Sequence, residues 1–126
     1  MAYEIKRQAH EDHIEFRVFG DRLSGHAVAD ADAVGKQILE QCRDQGISNI
    51  LLILELTGSI SAVDVYQIVT NSAQYGWSHD LKMAVVDLNP ESRLDSQFTE
   101  TVAVNRAYRV RSFDNERDAK EWLLGD

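Results

Sequence analysis

The side chains able to do chemistry are few, and their spacing decides how far each goes. His10 and His13 stand three apart with Glu11 and Asp12 between them. Two imidazoles can share a metal, but this spacing falls in a turn and lacks further ligands, so solvated turn residues are expected. Asp30 and Asp32 open like a calcium loop, yet no third oxygen ligand or turn glycine follows at the required offsets. They are expected to bring negative charge to the first turn of a helix, where the dipole favours it. Cys42 falls on an apolar stripe with nothing basic placed to lower its pKa, which predicts an inert buried thiol. Arg109 and Arg111 share one face of a strand, with Arg106 just ahead. They fit an anion site or the charged guard of an edge strand, and the guard is the commoner use. His26 and His79 have no partners in sequence. The turn Gly20-Asp-Arg-Leu-Ser-Gly25 matches neither dinucleotide nor phosphate-loop spacing. No nucleophile elbow surrounds a serine. We therefore assign no catalytic, cofactor or metal residue and read the chain as not an enzyme.

Those residues need elements to hold them. Tyr3 and Ile5, then Ile14, Phe16 and Val18, alternate with polar residues in the period-2 pattern of half-buried strands. The polar stretch from Gln8 to His13 is their hairpin connection, and Gly20 to Gly25 is a turn. From Ala27 to about Gln45 the period becomes helical. Ala27, Ala31, Val34, Ile38 and Cys42 form one stripe, and Gly46 suits a left-handed stop. Ile50 to Leu54 is continuously apolar, as in a strand covered on both faces, and marks the centre of the sheet. Ser61 and Asp64 make a capping-box-like pair opening a second helix. Its inward stripe is predicted as Ala62, Val65, Ile68, Val69 and Ala73, ending by Gly76. Leu81 to Val86 is a short strand, and Asn89-Pro90 opens a third helix expected to bury Leu94, Phe98, Thr101 and Val102. Tyr108 to Phe113 is the last strand. Asp114-Asn115 opens a terminal helix burying Ala119, Trp122 and Leu123. The order β-β-α-β-α-β-α-β-α predicts one α/β domain over residues 1–126, mostly parallel with an antiparallel edge strand.

Composition narrows the function classes. The 126 residues are 44% apolar and 27% charged, which is globular rather than disordered. A net charge of −8 argues against a nucleic-acid or anionic-membrane binder, because polyanions repel such a surface. The single cysteine leaves no intramolecular disulfide and fits a reducing compartment. The polar N-terminus lacks a signal-peptide core, and the longest aliphatic run is far short of the roughly 20 residues of a membrane helix. A cytoplasmic protein is expected. On the second helix, Val63, Tyr66 and Thr70 flank the buried stripe and Trp77 follows. Neighbouring helices or a partner protein could cover them.

The element order at this length resembles the STAS-like fold of the sporulation anti-sigma-factor antagonists. The resemblance covers nearly the whole chain and rests on the turn Gly20 to Gly25 and the strand-loop-helix from Asn49 to Val69. The segments Arg109 to Asp114 and Ala119 to Leu123 look more like an uncharacterised bacterial branch of that fold, which is related to the CRAL-TRIO lipid-binding domains. The resemblance implies a regulatory protein-interaction module. In the antagonists an Asp-Ser-Ser-Gly element opens the second helix and its first serine is phosphorylated. Here the matching segment is Ser61 to Asp64, which sets Ala62 at the phosphorylatable position. The expected partner-binding residues are Ser59, Ile60, Ser61, Val63 and Tyr66. The alternative implied is a carrier of a small apolar or lipid-like molecule, with Trp77, Phe98 and Trp122 supplying aromatic surface. Self-association stays open.

Overall fold

The alternation of the first two strands is matched by alternating burial. The computed structural model describes residues 3–22 and 25–125; Leu23 and Ser24 of the predicted turn lie outside the described residues. Strand β1 (Tyr3–Ala9) pairs antiparallel with β2 (Ile14–Asp21), Ile5 opposite Val18. Then follow α1 (Ala27–Gln45), β3 (Asn49–Thr57), α2 (Ala62–Gln74) and β4 (Lys82–Asp87). A 3₁₀ turn (Pro90–Ser92) leads into α3 (Arg93–Asn105), β5 (Arg109–Phe113) and α4 (Glu116–Leu124).

The sheet order is β1-β2-β3-β4-β5, with β2 to β5 parallel. Each parallel crossover therefore steps in the same direction. Right-handed crossovers then put α1, α2 and α3 on one face, and α4 lies on the other. No strand order reversal exists, so the fold has no crevice of the kind that holds nucleotides in doubly wound sheets. Strand β3 is central as its sequence predicts. Ile50 and Leu52 join the large core beneath α1 to α3, and Leu51 and Ile53 join a smaller core with Ala84, Val86, Ala119 and Leu123.

The inward rows of two helices differ from the predicted ones. Leu94, at 76% exposure, and Thr101 face solvent, while Val102 and Ala103 are buried. The cause is polar. Asp95 and Ser96 are drawn inward by hydrogen bonds to Ile60 N–H (3.1 Å) and Asp87 (2.7 Å), which turns Leu94 outward. Ala62 and Ala73 of α2 are exposed too, because the packed row runs through Val65, Val69 and Ser72, and Ala62 sits at the helix tip. The helix predicted from Asn89-Pro90 begins as the 3₁₀ turn, with Asn89 Oδ1 accepting from Glu91 N–H at 3.0 Å. Trp122 is half-buried against Phe113 rather than fully enclosed.

Candidate interaction surface

The loop from β3 to α2 is fixed on both sides before its helix starts. Arg22 at the end of β2 donates from its guanidinium to Gly58 C=O (3.0 Å), and Thr57 Oγ1 donates to Asp21. Gly58 has φ 83°, and a Cβ there would meet Arg22 C=O at 3.2 Å, so only glycine fits this close crossing. From the other side Asp95 accepts the Ile60 N–H. Ser61 then caps α2, its Oγ accepting from Asp64 N–H at 3.2 Å, as the Ser61–Asp64 pair predicts.

Beyond that cap two exposed apolar turns stand side by side. Val63 is 77% and Tyr66 52% exposed on α2, and Leu94 is 76% exposed on α3. The Tyr66 ring meets Phe98 edge-to-face at 5.7 Å between centroids, which joins the two helices at the surface. Val63 and Leu94 each lie one turn N-terminal to that pair, on the same helix faces. Asp64 and Glu91 stand beside these turns and give the patch an acidic rim.

The structure separates the sequence-predicted site residues into two groups. Ser59, Ser61, Val63 and Tyr66 are exposed. Ile60 is half-buried and packs against the large core. Thr70 is held away from the patch by accepting from Arg106 at 2.8 Å. Trp77 turns inward onto the core rather than extending the surface. Leu94 belongs to the patch although hydrophobic periodicity places it inward, whereas Phe98 packs against the large core as that periodicity expects and meets Tyr66 from there. The two polar neighbours that turn α3, Asp95 and Ser96, were the only available signal.

The other candidates resolve as follows. His10 and His13 are not solvated. Their rings stack at 4.4 Å and His13 is buried, because the turn closes through His10 N–H donating to His13 C=O at 2.8 Å. The His13 Nδ1–H donates to Asp12 at 2.7 Å and holds that carboxyl below its usual range. Asp30 stands in the first turn of α1 as expected and is buried there, while Asp32, beyond that turn, accepts from Asn71 of α2 at 2.8 Å. Cys42 is buried, which pushes its thiol up to about 11. Arg109 and Arg111 are exposed on β5, one of the two edge strands of the sheet. The Ser112 N–H there donates to Glu100 at 2.6 Å instead of standing open. Among the described residues no group of three or more His, Cys, Asp or Glu side chains could hold a metal ion.

Between the three helices and the sheet lies a pocket of about 200 Å³. Ala31 and Val34 of α1, Val69 of α2, Ala103 of α3, and Leu52 and Val85 of the sheet line it.

This architecture is similar to several solved structures. An anti-sigma factor antagonist from Mycobacterium paratuberculosis aligns at TM-score 0.58 and 14% identity, over 97% of this chain and 94% of that one. The unphosphorylated form of the anti-sigma factor antagonist SpoIIAA aligns at 0.54 and 16%, over 99% and 98%. This chain has the SpoIIAA-like fold. A third SpoIIAA-like structure, an uncharacterised protein of the DUF3478 family from Shewanella loihica, aligns at 0.56 and 17%, over 97% and 94%. No family model and no curated protein matches the sequence. No helix among the described residues is long and apolar enough to cross a membrane.

Proposed function

We propose that this chain is a non-enzymatic regulatory module of the cytoplasm, which binds another protein through the outer faces of α2 and α3. The observation that carries this reading is the exposed set Val63, Tyr66 and Leu94, joined to Phe98 and rimmed by acid. Apolar side chains that the core does not use, clustered around an aromatic pair, are the usual anchor of a protein contact. The rim fixes the partner's character. Asp64 and Glu91, on a chain of net charge −8, favour a partner whose apolar contact is surrounded by basic residues. The two solved neighbours described as anti-sigma factor antagonists support a regulatory role by likeness of fold. Ser59 and Ser61 contribute the polar edge of the contact beside the helix start.

Co-purification from the native cell tests this, comparing wild type with a Tyr66→Ala/Val63→Asp variant. One partner is expected to be retained by wild type and lost, at least tenfold, by the variant with unchanged circular dichroism. Its retention is expected to weaken as salt screens the acidic rim. Identical partner sets from the two proteins would remove the site assignment.

A further inference from the structure

The last strand carries cations that the interaction surface does not use. We infer that the outer edge of β5 is a second docking site, which accepts an extended peptide segment of a partner protein that alternates acidic and apolar residues. Strand β5 is paired only on its β4 side. Successive residues of a strand turn their N–H and C=O groups to opposite sides. Tyr108 and Ser112 turn theirs away from β4, since their N–H groups donate to Ala103 C=O (3.1 Å) and Glu100 (2.6 Å) of α3. Val110, midway between them, therefore presents its N–H and C=O on the open side, where another strand can pair.

Charge defines which strand fits. Arg109 and Arg111 lie in register with Lys82 and Ala84, and Ala84 packs beneath α4. Both arginines thus project on the α4 face of the edge, beside Trp122. Lys82 is buried there, donating to Trp122 C=O at 2.7 Å with its ammonium over the indole ring. Arg109 and Arg111 are exposed, and none of the ion pairs among the described residues includes either. A net charge of −8 leaves these two guanidiniums without a carboxylate of their own. Two residues apart on a strand they stand about 6.6 Å from each other, the repeat of same-face side chains on an added strand. Carboxylates at alternate positions of that strand meet them. The residues between face α3, where Val104 is 52% exposed at the rim of the same groove of about 380 Å³.

Glu100 already occupies one place in this edge. It is the one carboxylate lining the groove, and it takes the Ser112 N–H that a carbonyl of an added strand would take. An incoming strand displaces it to solvent and exchanges one acceptor for another. A second copy of this chain is the poorer occupant. Two β5 edges related by a twofold axis would set the arginines of one copy against those of the other.

The test titrates the whole chain, isotopically labelled, with the peptide acetyl-Ser-Glu-Val-Glu-Val-Glu-Ser-amide. Saturable amide shifts are expected at Val110 and Ser112, with slowed hydrogen exchange of the Val110 N–H. Replacing the three glutamates by lysine, or methylating the peptide's backbone nitrogens, is expected to weaken binding at least tenfold. Arg109→Glu/Arg111→Glu is expected to do the same, and Arg109→Gln/Arg111→Gln serves if the reversed variant misfolds. Glu100→Ala is expected to tighten binding at least threefold, and unchanged or weaker binding would overturn its displacement. Absent shifts, or binding unmoved by the arginine variants, would overturn the site. Equal binding of the methylated peptide, or of free glutamate at the same carboxylate concentration, would overturn strand addition. Equal binding of an oligothymidine strand would overturn the peptide class. Concentration-dependent dimers abolished by the arginine variants would give the edge to a second copy. Val63 and Tyr66 take no part in these readouts, so this result and the co-purification fail separately.

Discussion

Asp87 ends β4 at 1% exposure, and its carboxylate organises the start of α3. It accepts from Ser92 Oγ (2.8 Å), Ser96 Oγ (2.7 Å) and Asn89 N–H (3.0 Å). Removing the acceptor strands these donors in a buried place. Asp87→Ala is therefore expected to cost about 3 kcal/mol in urea unfolding, and Asp87→Asn, which keeps one acceptor oxygen, clearly less. A second residue-scale expectation concerns Ser59 and Ser61. Phosphate is favoured at a helix N-terminus. At Ser61, however, it would bring about −1.5 to −2 charges beside Asp64. It would also disturb a cap worth about 1 kcal/mol. We expect phosphopeptide mapping of the endogenous protein to find neither serine substantially occupied. An occupied phosphoserine at either would restore an antagonist-type switch. At this scale the sequence was legible where chemistry is local, as in the Ser61 cap and the Cys42 thiol. It was not legible for Asp87 or Leu94. Their environments depend on side chains brought together only by the fold, and hydropathy alone places a leucine inward and an aspartate outward.

Between elements, the two faces of the sheet are held by different means. Helix α4 is tied at its first turn by Arg17 donating to Glu116 (2.6 Å) and near its end by Lys82 donating to Trp122 C=O (2.7 Å). The second contact places a cation at a helix C-terminus, where the dipole favours it. Helices α1 and α2 instead share buried groups that must stay neutral. Burial raises the Cys42 thiol from its ordinary 9.0 to about 11 and the Tyr75 phenol from 10.0 to about 12. Because both folded values are raised, the stability these groups contribute is complete below their unfolded values. It is lost as pH climbs through the folded ones. For Cys42 the difference is worth about 3 kcal/mol. The urea midpoint is expected to hold from pH 7 to 8.5 and fall between about pH 9 and 11. Cys42→Ala is expected to fall less steeply over that interval, and an equal fall would contradict the assignment. The helices and strands themselves were legible from periodicity and turn residues. Their ends were less so, since α3 begins through a 3₁₀ turn and Ala107, without a glycine signal, takes φ 66° after its end.

Over the whole molecule, the linear strand order is what gives the surface its meaning. It gathers α1, α2 and α3 on one side, so α2 and α3 lie adjacent and their outer turns become one patch. Alternating strands and helices make a parallel sheet legible in the sequence. They do not state which helices end up as neighbours, and so Tyr66 could be read from sequence but its pairing with Phe98 could not. The acidic balance was legible directly, and it gains direction from Asp64 and Glu91 beside the apolar turns. The central claim is that this face, and not the α4 face, meets a partner protein. The most direct measurement replaces Tyr66 with a photocrosslinking phenylalanine analogue in the native cell, with the same analogue at Arg117 on α4 as the control. One discrete covalent adduct of constant mass is expected from position 66 and none from position 117. No adduct at 66, or the same adduct from both positions, would contradict it.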